Sequence, residues 1–169
     1  SATIRFVSPI APADGTEAVH AGVPRARPDH SLALPIAQTA TYTFRDSADL
    51  ERYQHGDDPE ADRQEYGRYG NPTVREVEKR LAALEGADDA LLFSSGMAAI
   101  TTALLALVKA GDHVILFRDV YRMTRRFVTG TLGRFGVEHT LLDPGDLEGL
   151  ARAIGPKTRA AFTESPTNP

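Results

Sequence analysis

From Asn71 onward the apolar positions follow a regular order. Asn71 is a good N-cap, Pro72 suits the first helical position, and Val74, Val77, Leu81 and Leu84 recur at helical spacing until Gly86 supplies a stop. The spacing predicts a helix over 72–85. Ala90-Leu91-Leu92-Phe93 is an apolar run of the length of a buried strand, Ser94-Ser95-Gly96 is a turn of small residues, and 97–109 is helix-prone up to a stop at Gly111. The alternation continues with a strand at 113–117, a helix at 124–135 ended by Gly136, a strand at 137–142, a short helix at 146–154 capped by Asp143 or Asp146, and a strand at 159–163. Strands and helices alternating in this way predict an α/β fold: βαβ units with right-handed crossovers around a mainly parallel sheet, flanked by helices.

Residues 1–63 show no sustained period, apart from Thr39-Ala40-Thr41-Tyr42-Thr43-Phe44, which alternates as a short extended segment does. Pro9, Pro12, Pro24, Pro28 and Pro35 oppose long helices there. The expected organisation is therefore an extended N-terminal arm over 1–63 that wraps another subunit, followed by 64–169 as the first part of an α/β domain. That domain is expected to be incomplete, because the last residues directly follow a strand and a sheet ended there would leave an apolar edge uncovered.

Composition narrows the function classes. Hydrophobic residues make up 41% of the chain and charged ones 25%, with a net charge of -4 and the basic residues scattered singly, so neither nucleic acid nor an anionic membrane is an expected partner. The longest apolar stretch, 97–108, is interrupted by Thr101 and Thr102 and falls short of the roughly 18 residues of a membrane span. No basic region followed by an apolar one opens the chain, and the expected location is cytoplasmic. The absence of cysteine excludes disulfides, Cys/His zinc sites and a thiol nucleophile. His20, His30, His55, His113 and His139 show no metal-ligand spacing and are expected to be structural, with no metal site.

Candidate chemistry concentrates in four places. Ser94-Ser95-Gly96-Met97 joins a predicted strand to a helix N-terminus, where unpaired N–H groups and the helix dipole suit a phosphate; a ligand-free turn has the same composition. It matches neither the dinucleotide glycine pattern nor the P-loop. Tyr66-Gly67-Arg68-Tyr69-Gly70-Asn71-Pro72-Thr73 offers a guanidinium fork and a phenol to an anion, or is a surface loop ending in a helix cap. Tyr121 follows the strand at 113–117, on the side where α/β sheets bind ligands, and could stack on a planar cofactor and move a proton, or simply pack. Arg122, Arg125 and Arg126 beside it read first as a solvated face and second as an anionic-substrate site. Asn168, between Pro166 and Pro169, lies in a stiff loop after the last strand.

In order and wording these motifs resemble the Cys/Met-metabolism family of pyridoxal-phosphate enzymes, whose fold is that of the aspartate aminotransferases. The resemblance covers residues 15–169, starting with Gly15-Thr16-Glu17-Ala18-Val19-His20-Ala21-Gly22 and ending with Glu164-Ser165-Pro166-Thr167-Asn168-Pro169. Within the family, Asp119-Val120-Tyr121-Arg122-Met123-Thr124-Arg125 is most similar to plant-type cystathionine γ-synthases; lyases and sulfhydrylases usually have a small residue in place of Arg122. The resemblance implies pyridoxal 5'-phosphate as cofactor, held by the amides of Gly96 and Met97. It places Tyr66 and Arg68 on the phosphate of a neighbouring subunit, Tyr121 on the ring as the catalytic residue, Asn168 near the ring hydroxyl, and Glu164 as a support of that loop.

The implied reaction is replacement at the γ carbon of an activated homoserine ester by cysteine, forming cystathionine in methionine biosynthesis. Cystathionine or methionine γ-lyase and O-acylhomoserine sulfhydrylase are the neighbouring outcomes. A homo-oligomer, a dimer of dimers with shared active sites, is implied with it. The family's Schiff-base lysine would lie beyond Pro169, and Lys79, Lys109 and Lys157 do not stand in its motif. The chain alone is thus not expected to catalyse. A companion polypeptide, proteolysis or truncation would account for the missing C-terminal half, and an inactive binding or scaffold module is the reading from another class.

Overall fold

The computed structural model describes residues 21–22, 30–57 and 63–167. They fall into two compact units, one ending at Leu92 and one beginning at Phe93.

Among its described residues the first unit holds two helices. Helix α1 (Ser47–His55) lies inside the stretch in which no period was expected: the Asp46 side chain accepts from the Asp49 N–H, and Gly56 ends the helix in the left-handed region at φ 77°. The cap pair was visible in the sequence, but the helix is too short and polar to show an apolar stripe. Helix α2 (Pro72–Glu85) forms where the spacing predicts it, with Asn71 accepting from the Thr73 N–H and Gly86 at φ 62°. Its start also anchors the extended segment before it: the Asn71 Nδ2 donates to the Ala37 carbonyl at 2.9 Å, and the Ala37 N–H donates to Thr73 Oγ1 at 2.9 Å. The expected extended segment pairs antiparallel with the polar loop, Thr41 against Tyr66, with the Gly67 N–H donating to the Ala40 carbonyl at 2.8 Å. A Cβ at Gly67 would meet the Thr39 carbonyl at 3.3 Å, so this close approach favours glycine.

The strand expected at Ala90-Leu91-Leu92-Phe93 does not form. The Leu92 N–H, which a ladder would need, donates instead to Glu78 Oε1 at 2.9 Å, while Leu91 and Leu92 stay 74% and 45% exposed. An apolar run becomes a strand only where a neighbouring strand takes its amides; here a helix carboxylate takes one first.

The most condensed electrostatic feature is Asp49, whose side chain is 2% exposed and lies 2.9 Å from Arg45, 3.0 Å from Arg52 and 3.1 Å from Arg63. The Arg45 guanidinium, and then the Arg45 N–H, hold its carboxyl far below the usual carboxylate range. Because the folded carboxyl titrates below the unfolded one, its contribution is complete above the unfolded value of about 4 and is lost as pH falls through the folded value. The urea midpoint of the wild type should therefore fall more steeply below about pH 4 than that of Asp49→Asn, which starts lower at pH 7.

The second unit is a three-stranded parallel sheet with helices. Helix α3 (Gly96–Leu107) is followed by β1 (His113–Phe117), α4 (Arg122–Arg126), β2 (Glu138–Leu142), α5 (Leu147–Ala153) and β3 (Thr158–Phe162). Strand β1 is central, and both neighbours run parallel to it. Val114, Ile115 and Leu116 are fully buried, as a central parallel strand requires. Leu104, Val120, Val128, Leu132 and Val137 close the core around Val114 and Leu116, each such side chain contributing about 1.5–3 kcal/mol on leaving water. His113 ties the sheet together, its ring nitrogens bonding Thr158 Oγ1 and Thr140 Oγ1, each at 2.9 Å. Helix α5 is capped by Asp146, the second of its two candidate caps.

Two helices depart from expectation. Helix α3 ends two residues early, since the Lys109 N–H donates to the buried Asp112 carboxylate at 3.0 Å and Val108 is extended. The helix expected at 124–135 begins two residues earlier and widens into a π-helical stretch, Phe127–Leu132. Val128 and Leu132 are both in the core, and Thr129 Oγ1 donates back to the Arg125 carbonyl at 3.0 Å.

Candidate functional site

The site is built where β1 and β3 end. Ser95 precedes α3 in extended conformation, its Oγ accepting from the Ala98 N–H at 3.1 Å and its carbonyl from the Ala99 N–H at 3.1 Å. The amides of Gly96 and Met97, first in the helix, have no acceptor within it. Space around Gly96 is open: a Cβ built there meets no atom within 4 Å. A helix N-terminus with an open approach and two uncommitted N–H groups fits an anion such as the phosphate of a cofactor.

Helix α4 starts beside it. Thr124 is completely buried and its Oγ1 donates to the Met97 sulfur at 3.7 Å, fastening the first turn of α3 to the first turn of α4. Tyr121, immediately before α4, is 40% exposed, and its N–H donates to Glu164 Oε2 at 2.9 Å. Glu164 lies just beyond β3, so segments after both strands meet at Tyr121 on the sheet edge where α/β folds hold ligands. At that exposure the residue is open to a ligand, and a tyrosine can both stack on a planar ring and exchange a proton.

The first turn of α3, with Gly96 and Met97, is thus joined through Thr124 to the helix that Tyr121 precedes, and Tyr121 is joined to Glu164. Tyr66 and Arg68 belong to the first unit, where the Arg68 guanidinium lies 4.6 Å over the Tyr66 ring. Asn168 lies outside the described residues. Of the three arginines after Tyr121, Arg125 donates to the Arg118 carbonyl and so is occupied by the backbone. Thr124 escaped the sequence reading. The signal was there: Thr124, Val128 and Leu132 recur every four residues and all three are buried, which places the hydroxyl on the core face.

Among the described residues no group of three His, Asp or Glu is placed to hold a metal ion, and no helix is long and apolar enough to cross a membrane.

Residues 15–169 match the family model described as Cys/Met metabolism PLP-dependent enzyme. The chain is 42% identical over 159 residues to cystathionine γ-synthase 1, chloroplastic, of Arabidopsis thaliana, covering 92% of this chain and 28% of that protein. It is 50% identical over 105 residues to cystathionine β-lyase MetC of Bacillus subtilis, covering 62% of this chain and 27% of the relative. Among solved structures it is similar to a Campylobacter jejuni protein described as an O-acetylhomoserine (thiol)-lyase, which carries N'-pyridoxyl-lysine-5'-monophosphate. The TM-score is 0.79 and the identity 32%, over 91% of this chain and 37% of the other. The chain thus spans less than a third of the length of these two relatives.

Proposed function

This chain belongs to the family of Cys/Met metabolism PLP-dependent enzymes, and from that premise we propose that it is the N-terminal part of an enzyme that replaces the γ substituent of an activated homoserine ester with the sulfur of cysteine, forming cystathionine. The observation that carries the proposal is that the open N-terminus of α3 is joined, through Met97 and Thr124, to the start of the helix that Tyr121 immediately precedes, while Tyr121 itself is tied to Glu164 beyond β3. The 42% identity to a plant cystathionine γ-synthase over nearly all of the chain supports the synthase reading within the family.

The residues fit the cofactor. The amides of Gly96 and Met97 would hold the phosphate, and the open space at Gly96 admits it. Tyr66 and Arg68 would supply a hydroxyl and a guanidinium to the phosphate of a neighbouring subunit, so the active site would be shared in a homo-oligomer, a dimer of dimers. Asn168 would stand near the ring hydroxyl. When bound, pyridoxal 5'-phosphate supplies an electron sink for negative charge on substrate carbon. Tyr121 would present an apolar face to the ring and hold or move a proton at its phenol oxygen.

A lyase acting on cystathionine is the second reading, favoured by the 50% identity to a cystathionine β-lyase over the shorter stretch. The full-length protein, given an acylated homoserine and cysteine, should form cystathionine faster than it releases ammonia and a 2-oxo acid from cystathionine or methionine. The reverse ratio, measured by amino-acid chromatography and a coupled oxo-acid assay, selects the lyase.

A further inference from the structure

We infer that Glu164 is a positioning residue for Tyr121: its carboxylate holds the tyrosine backbone, and so the phenol, at the place where the reaction needs it. The inference rests on the proposed role of Tyr121. Tyr121 is 40% exposed, so packing does not lock its ring, and as the residue before α4 it has no side-chain cap of its own. Besides the helix bond from the Arg125 N–H to its carbonyl, its backbone is tied through its N–H, 2.9 Å from Glu164 Oε2, a partner 43 residues away just past the end of another strand. A bond to a charged acceptor is shorter and stronger than one to a neutral acceptor. One turn further on, buried Thr124 fastens the same helix start to Met97. Tyr121 therefore stands on a segment braced from two sides, by the β3 end through Glu164 and by the anion-binding turn through Thr124. The Glu164 carboxylate is bonded to the Tyr121 amide, so its influence on the site runs through Tyr121.

Removing the carboxylate leaves that amide to water and frees the phenol to wander, and misplacing a reacting group by about 1 Å costs on the order of 100-fold in rate. In the full-length holoenzyme, Glu164→Ala should lower kcat about 10- to 100-fold, with KM changed less than about threefold. Glu164→Gln keeps an acceptor oxygen and should recover most of the loss. In a Tyr121→Phe background, Glu164→Ala should cost almost nothing more, because a positioning residue has nothing left to position. The readout independent of turnover is hydrogen exchange at the Tyr121 amide in cofactor-free full-length protein, followed by mass spectrometry: faster in Glu164→Ala, unchanged in Glu164→Gln.

Unaltered exchange in Glu164→Ala, or a full additional loss on top of Tyr121→Phe, overturns the inference. If Tyr121→Phe itself leaves kcat intact, the catalytic reading of Tyr121 fails instead, and the exchange result still shows whether Glu164 holds the backbone. Should Glu164→Ala not fold, Glu164→Asp withdraws the acceptor by one methylene while keeping the charge. Wild-type exchange and rate in that variant also overturn the inference.

Discussion

Replacing Tyr121 by phenylalanine in the full-length protein is expected to lower kcat by a factor on the order of 10² to 10⁴, the range a positioned acid or base contributes. The substitution is chosen for what it keeps. A phenyl ring retains the face that would lie on the cofactor, so cofactor affinity should change little, while the oxygen that handles the proton is gone. Because the backbone of Tyr121 is held through its N–H and not through its side chain, the variant should keep the same local structure. Steady-state kinetics with an activated homoserine ester and cysteine, beside a cofactor titration, separate the effects. A drop in affinity with kcat unchanged would reduce Tyr121 to a stacking platform, and no change in either would make it a packed loop residue.

The second large effect is expected at Gly96. Proline in that place removes one N–H from the start of α3 yet respects the backbone: Gly96 is the first helical residue, where proline is favoured, and Ser95 before it is extended at φ -158° and ψ 156°, as a residue preceding proline prefers. A Cβ there meets nothing within 4 Å. Gly96→Pro should therefore fold as the wild type does, and lose a charge-assisted hydrogen bond to the cofactor phosphate worth about 1.5–3 kcal/mol. At 1.4 kcal/mol per tenfold, the affinity for pyridoxal 5'-phosphate falls by about 10- to 100-fold. Gly96→Ala keeps the N–H and adds only a methyl group, so comparing the two variants by cofactor titration distinguishes loss of the donor from loss of space. Equal affinity in Gly96→Pro and wild type would remove the α3 N-terminus from the cofactor site.

Much of the fold could be read from adjacent residues. Helix α2 is bounded by Asn71-Pro72 and Gly86, helix α5 by Asp146, and the three strands by apolar runs between turn residues, and each of these forms within a residue or two of its expected place. The errors share a cause. Residues 90–93 had the composition of a strand, but Glu78, fourteen positions away, captured the Leu92 amide. The end of α3 was displaced by the Asp112 carboxylate three positions beyond Lys109. At the site, the small-residue turn and the tyrosine after β1 were both legible as candidates, whereas Thr124 was passed over and Glu164 stood only as a support of its own loop.

What the order of residues determined on its own was the set of caps, turns and periods, because each depends on groups within a turn of one another along the chain and so survives without knowledge of the rest. The meeting of Met97 with Thr124 across 27 positions and of Tyr121 with Glu164 across 43 was decided only in three dimensions. The second contact exists because β1 and β3 run parallel side by side and deliver their C-terminal ends to the same edge of the sheet. Hydrogen bonds act over about 3 Å, and only packing brings such distant positions that close.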